Sequence, residues 1–377
     1  MGGCMAFSWP AVTVVIPHYN APESLARVVE AVRGQDYAGA VEIVVADDGS
    51  AEVPVIEGVT VVRQDDQGFR AAAARNLGAR AASGEVLAFI DADTVPEPGY
   101  LSAVVPHIMG DSRAVVIGAR LTGAQREEPQ WLIDAWRDTT NLRDADHTSW
   151  RFIISAVLSC STEFFREVGG FDATMVGYGG EDWEFGFRAW NAGATFVHEP
   201  AAVAVHEEED FGARYDDPAE AVRVKNAESL ALARRITHPL ARPEHVVFDT
   251  FDIAVTIPAF DEEGVTEFLI AEWVKIGAYV QVAEVPPLFE ADPRVGASAA
   301  EPDGPAARVR VAVGAAWAPL DVDKLLSFEY VLCPDGTMVR TARAAALGLE
   351  PESAHPEDIG LTPVNGPLQL ERYFAGW

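Results

Sequence analysis

Four short apolar runs in the first 90 residues, at 12–16, 41–46, 60–62 and 86–90, constrain this chain most. They are rich in Val and Ile and lack alternation with polar residues, so they predict strands buried on both faces of a parallel sheet. Helical patterns separate them at 23–33 and 68–82. In the first helix Leu25, Val28, Val29 and Val32 fall at the i, i+3, i+4, i+7 spacing of a core-facing stripe, which accounts for them by packing alone. The expected class is therefore α/β.

Further along, residues 122–150 lose the strand pattern and carry Trp131, Trp136 and Trp150 among alternating acids and arginines. Stacking on the flat face of a ligand and packing in a core are both open to them. A helical pattern opens near Glu181 and stops at Asn191-Ala192-Gly193, strand-like 194–205 ends on His206, and a helix-like stretch follows at 218–236. From His238 the texture changes to strand-like runs at 246–257, 279–285, 307–313 and 329–332, with a turn at Pro334-Asp335-Gly336 and an exposed loop at 293–305. The expected organisation is one domain over 1–237 and a smaller β-rich or α+β accessory domain over 238–377, with no internal repeat evident.

A chain of 377 residues, 49% hydrophobic, can bury two cores. Its formal charge of -30 repels a nucleic-acid backbone, which excludes that class of partner. Cys4, Cys160 and Cys333 are far apart and without CxxC spacing, so neither disulfides nor a thiolate zinc site is expected, and a reducing cytoplasm fits. No long apolar run suggests a signal peptide or membrane span. The opening Met1-Gly2-Gly3-Cys4 has Ala6 where a myristoylation signal needs Ser or Thr.

Chemistry concentrates at strand ends. Asp91-Ala92-Asp93 follows the buried run 86–90, and two carboxylates two residues apart on extended chain point the same way, at the edge where open parallel sheets bind ligands. Such a pair suits Mn²⁺ or Mg²⁺ shared with a diphosphate. Asp47-Asp48-Gly49-Ser50 and Pro17-His18-Tyr19-Asn20 end the neighbouring strands on the same edge. Gly177-Tyr178-Gly179-Gly180 runs into Glu181-Asp182-Trp183-Glu184 at a helix start, where the helix dipole stabilises ionised carboxylates. The glycines would let that loop move over a bound ligand.

These segments, with Gly68-Phe69-Arg70, Ala74-Arg75-Asn76 and Gly169-Gly170-Phe171-Asp172, occur in the order seen in family 2 glycosyltransferases of GT-A fold. Two of them resemble chondroitin-polymerase-type and β-1,4-galactosyltransferase-type enzymes in particular. The resemblance covers roughly residues 10–210. It implies that Asp48, with Pro17, Tyr19 and Asn20, faces the nucleotide, and that Arg70 and Arg75 shape the donor pocket. It also implies that Asp93 binds the metal, with Asp91 near the ribose or metal-bound water. His206 matches the family's later histidine ligand, with His198 as its rival. Asp182 is the implied general base of an inverting transfer, and Glu181 the group that hydrogen-bonds sugar hydroxyls. A UDP-sugar donor and a sugar or small-molecule acceptor are the expected partners, with a homo-oligomer left open.

The chain lacks the membrane helices and QxxRW motif of processive relatives, which points to a non-processive enzyme. A nucleotidyltransferase would need a glycine-rich basic loop after the first strand. A carbohydrate-binding pseudoenzyme would not need Asp91, Asp93, Asp182 and His206 together.

Overall fold

The computed structural model describes residues 9–123, 126–207, 217–243, 245–298, 306–365 and 368–375. Met1 to Cys4 and positions 299–305 of the expected exposed loop lie outside the described residues. The chain divides into a first unit, Met1–Trp190 with Ala194–Leu232, and a second, Asn191–Gly193 with Ala233–Trp377.

In chain order the first unit contains β1 (Val12–His18), α1 (Pro22–Arg33), β2 (Val41–Asp47), β3 (Thr60–Arg63), α2 (Ala71–Ala81), β4 (Val86–Ile90), β5 (Thr94–Pro96) and α3 (Tyr100–Gly110). There follow β6 (Ala114–Thr122), α4 (Gln130–Asp138), β7 (Val157–Ser161), α5 (Thr162–Val168), α6 (Glu181–Asn191), β8 (Thr195–His206) and α7 (Pro218–Arg235). The strands form one sheet in the order β3-β2-β1-β4-β7-β6-β8-β5. β1 to β4 are mutually parallel, β7 runs against both its neighbours, β8 is parallel to β6, and β5 lies antiparallel on β8. The apolar runs are buried as their composition predicts: Val14, Val15, Ile16, Leu87, Ala88 and Phe89 expose nothing to solvent. Helix α2 lies so close on β1 that a Cβ at Gly78 would come within 2.4 Å of Val15 Cγ1, which explains a glycine inside a helix despite its propensity penalty.

Chain order reverses at β1, which sends α1 to β2 on one side and finds β4 on the other. Connections leaving in opposite directions open a crevice at the carboxyl ends of those strands, the usual ligand position in such sheets.

The second unit contains β9 (Ile253–Thr256), α8 (Val265–Lys275), β10 (Tyr279–Val282), β11 (Val295–Ala297), β12 (Val309–Ala312), β13 (Trp317–Pro319), α9 (Val322–Leu326), β14 (Tyr330–Leu332), β15 (Met338–Thr341), α10 (Ala342–Leu347), β16 (Glu352–Ser353), β17 (Leu361–Pro363) and α11 (Leu370–Ala375). Its main sheet has the order β11-β10-β9-β12-β15-β14-β16, with β13 and β17 paired apart. Trp273, Leu269 and Ile270 of α8 are fully buried against Val280 and Val309, and the Trp273 indole N–H donates to Trp317 O at 3.1 Å. The strand expected over 246–257 contracts to β9. Val246 and Val247 stay about half exposed, and Arg242 Nη2 donates to Thr250 Oγ1 at 2.6 Å where the chain bends. Among the described residues, no helix is long and apolar enough to cross a membrane.

Candidate active site

At the crevice, Asp47 ends β2 fully buried and ties the loops together. Its carboxylate lies 3.1 Å from His18 Nδ1, accepts from Ser50 N at 3.2 Å and meets Arg63 Nη1 at 3.2 Å. Ala21 N donates to His18 Nε2 at 3.2 Å, so Nδ1 carries the imidazole proton and donates it toward Asp47. Asn20 adopts φ 48, a left-handed conformation that Asn tolerates. Its N–H donates to Ser50 Oγ at 2.8 Å and its Oδ1 accepts from Ala51 N at 2.8 Å. Asn20 therefore locks the end of β1 to the end of β2, while Tyr19 stays 47% exposed with its hydroxyl donating to Asp66 Oδ2 at 3.1 Å. Pro17 is half-buried between them.

Asp48 is also buried, and it accepts from Gln64 Nε2 at 2.6 Å and from Arg70 N at 2.8 Å. These bonds fix the loop ahead of α2, so Arg70 stands at the crevice with its guanidinium 4.0 Å from Asp48 Oδ1. Asn76 clasps Phe171 through both amide atoms, donating to its O at 2.7 Å and accepting from its N at 2.9 Å.

Arg75 joins segments that are distant in sequence. It is 3% exposed, and donates from Nη2 to Asp91 Oδ1 at 2.7 Å and from Nη1 to Glu181 Oε1 at 2.9 Å. A buried guanidinium between two carboxylates is held in its charged form, so its pKa is raised despite desolvation. Asp93 turns the other way. β5 pairs with β8 so that Thr94 faces His206, and this register brings His206 Nε2 to 3.3 Å from Asp93 Oδ2. Thr94 Oγ1 donates to Asp93 Oδ1 at 3.2 Å. Among the described residues, no group of three or more His, Cys, Asp or Glu encloses a metal position. One carboxylate and one imidazole, with the remaining positions left to phosphate and water, nevertheless fit a divalent ion shared with a diphosphate. His198 is placed differently: it stacks on Trp136 at 4.0 Å between centroids, and its Nδ1 lies 2.9 Å from Asn141 Oδ1. Burial lowers His198 to about 4.

The loop before α6 is set by packing. Gly177, Gly179 and Gly180 have φ of 111, 89 and 88, which a side chain would resist. A Cβ on Gly179 would also come 2.7 Å from Glu228 Oε2, and one on Gly180 3.2 Å from Leu232. The sequence suggests mobility here. The structure gives these glycines a geometric reason, with Glu228 and Leu232 of α7 as the floor.

Asp182 lies on the first turn of α6. Burial first, then the adjacent Glu181 carboxylate, push it up to about 7, with Arg75 pulling the other way. The helix start was expected to keep this group ionised, but desolvation outweighs the dipole. A carboxyl that changes protonation near neutrality suits a general base. Glu184 is taken up in an ion pair with Arg188, whose Nη2 also reaches Gly170 O at 2.7 Å, so it braces the helix. Trp136 and Trp150 are 6% and 2% exposed and belong to the core, which leaves Trp131, 47% exposed, for any stacking role. Glu228 escaped the sequence reading; its only signal is the i, i+4 pair with Leu232.

Residues 13–168 match the family model described as Glycosyl transferase family 2, and residues 145–209 match that of the N-terminal domain of galactosyltransferase. Chondroitin synthase of Escherichia coli is 26% identical over 295 residues, 66% of this chain and 42% of that protein. The pre-mycofactocin glycosyltransferase of Mycobacterium tuberculosis is 33% identical over 208 residues, 52% of this chain and 42% of that protein. Validoxylamine A glucosyltransferase of Streptomyces hygroscopicus is 31% identical over 215 residues, 48% of each chain. The chain thus spans less than half the length of these curated relatives. A crystal structure of GalNAc-T7 with UDP, GalNAc and Mn²⁺ covers 60% of this chain and 49% of its own, at 22% identity and a TM-score of 0.46. With the motifs seated at the carboxyl ends of β1, β2 and β4, residues 13–168 resemble glycosyl transferase family 2, on a sheet that is parallel through β3-β2-β1-β4.

Proposed function

We propose that this chain moves a sugar from a nucleotide diphosphate donor, a UDP-sugar, to an acceptor hydroxyl in one inverting displacement, one sugar per encounter. The observation that carries the reading is the Arg75 bridge, which holds Asp91 of the donor edge and Glu181 of the acceptor helix together beside Asp182. Pro17, Tyr19, Asn20 and Asp48 border the nucleotide, and Arg70 and Arg75 shape the pocket around the diphosphate. Asp93 and His206 would hold Mn²⁺ or Mg²⁺, with Asp91 beside it. Such an ion, when bound, offsets the negative charge that gathers on the departing diphosphate. Asp182 takes the acceptor proton as the hydroxyl attacks the anomeric carbon from the face opposite the leaving group, and Glu181 positions a sugar hydroxyl. Residues from about 238 onward serve acceptor choice or assembly.

The test is a thermal-shift panel of nucleotide sugars with Mn²⁺ on the full chain, followed by turnover assays. UDP-sugars should raise the melting temperature, each tenfold excess over Kd adding about 1.4 kcal/mol. Undiminished transfer in excess chelator would sink the metal assignment, and transfer with retained anomeric configuration would sink the single displacement.

A further inference from the structure

The second unit repeats the first, strand for strand. Reading β3-β2-β1-β4-β7-β6-β8 against β11-β10-β9-β12-β15-β14-β16, every neighbouring pair has the same sense: parallel, parallel, parallel, antiparallel, antiparallel, parallel. The pairings then set the residue correspondence. Val15 faces Val44 and Phe89, and Thr256 faces Gln281 and Ala312, so Phe89 corresponds to Ala312. Phe89 faces Leu158, and Ala312 faces Met338. Three residues further on, Ser161 corresponds to Thr341, and both are N-caps whose side chains accept from the backbone N–H three residues later. The ungapped match from β1 sets Ile16-Pro17-His18-Tyr19-Asn20 on Ile257-Pro258-Ala259-Phe260-Asp261, and buried Val28, Val29 and Val32 on buried Leu269, Ile270 and Trp273. Six neighbouring pairs that share order and sense, with the N-cap and the buried helix face falling at matching positions, mark one fold used twice.

The same register says what became of the donor seat. Asp91 and Asp93 correspond to Gly314 and Ala316, and Asp48 corresponds to Val285. Where the first unit leaves β6 for α4, the second turns back at once through 333–337. That turn lies against the backbone of Gly314. Gly314 N donates to Thr337 Oγ1 at 2.9 Å, Trp317 Nε1 donates to Asp335 Oδ2 at 2.6 Å, and a Cβ on Gly314 would come 2.1 Å from Asp335 O. Between β15 and β16 the chain carries α10 alone, in the place of α5, with no second helix where α6 carries Asp182.

We propose that the C-terminal unit is a second copy of the donor-binding fold that has lost its donor seat to its own β14–β15 turn, so that the chain holds one nucleotide-diphosphate site and not two. The proposal rests on the functional reading above for the nature of the ligand. Calorimetric titration of the full chain with UDP and Mn²⁺ should give one site per chain, weakened on the order of 10²-fold by Asp93→Ala. Two sites, or one whose affinity Asp93→Ala leaves unchanged, would overturn it. Binding to neither form would sink the functional reading instead, and the turn then decides by itself. Gly314→Ala should lower the melting temperature by about 5 °C or more, because a Cβ has no room there. Should that variant not fold, Thr337→Val, which orphans the Gly314 N–H and removes the hydroxyl's bond to Asp335 Oδ2 at 3.0 Å, should show a smaller loss. An unchanged melting temperature in both would show that the turn does not occupy the seat.

Discussion

Asp182→Asn separates catalysis from architecture, because the two roles move stability in opposite directions. In the folded chain Asp182 is pushed up to about 7, against an ordinary 3.8. A carboxyl whose folded pKa is raised resists ionisation, so folding is penalised progressively as pH climbs from about 4 to about 7, and the penalty is constant above that. With each pH unit worth about 1.4 kcal/mol, the full penalty is on the order of 4 kcal/mol, reduced to about 3 for a partly solvated group. Asn removes it at nearly constant volume. Asp182→Asn should therefore be more stable than the parent at pH 8, by up to about 3 kcal/mol in denaturant titrations, with the gap closing toward pH 4. Its kcat should fall by on the order of 10² to 10⁴, with donor affinity within a few-fold. The parent's kcat should rise with pH through about 7 and level off, and that limb should vanish in the variant. Near-normal turnover at saturating acceptor would refute the assignment and make Glu181 the next candidate, since Glu184 is committed to Arg188. A less stable variant at pH 8 would refute the electrostatic account.

Asp93→Ala should lower kcat/KM by on the order of 10² and weaken Mn²⁺ binding in paramagnetic relaxation titrations, with His206→Ala acting in the same direction; unaltered Mn²⁺ affinity would exclude both as ligands. Arg75→Met strands the buried Glu181 carboxylate and leaves the part-exposed Asp91 unpaired, and should destabilise the chain by about 3 kcal/mol, whereas Arg75→Lys keeps the charge without the two-pronged geometry and should recover part of the loss. Gly180→Ala forces φ 88 on a side chain that meets Leu232 at 3.2 Å, and should cost about 1–2 kcal/mol by chemical denaturation.

The parallel core was legible because buried strands keep uninterrupted apolar runs, and Asp91, Asp93 and Asp48 were legible because they follow such runs directly. Other features depend on groups far apart in the chain. Arg75 and Glu181 are 106 residues apart and meet only once α2 and α6 pack. β7 enters between β4 and β6 against their direction, and nothing in Val157–Ser161 itself encodes which way it runs. Trp136 and Trp150 sit among charges in sequence yet point inward, because flanking Arg and Asp side chains can reach solvent from the surface of the same segment. The repeat escaped because its two copies share burial and register more than residue identities.

The floor under Gly179 and Gly180 also bears on inheritance. Glu228 and Leu232 stand beyond residue 209, where the family-matched spans end, yet they occupy the space that shapes the loop leading into Asp182. Natural recombination or a laboratory graft cut at the end of the recognisable signature would transmit the Gly177–Gly180 loop without its support. The portable module is therefore longer than its signature: a donor segment must run through α7 to breed true, and within that helix Glu228 and Leu232 are the positions where drift and that loop have to change together.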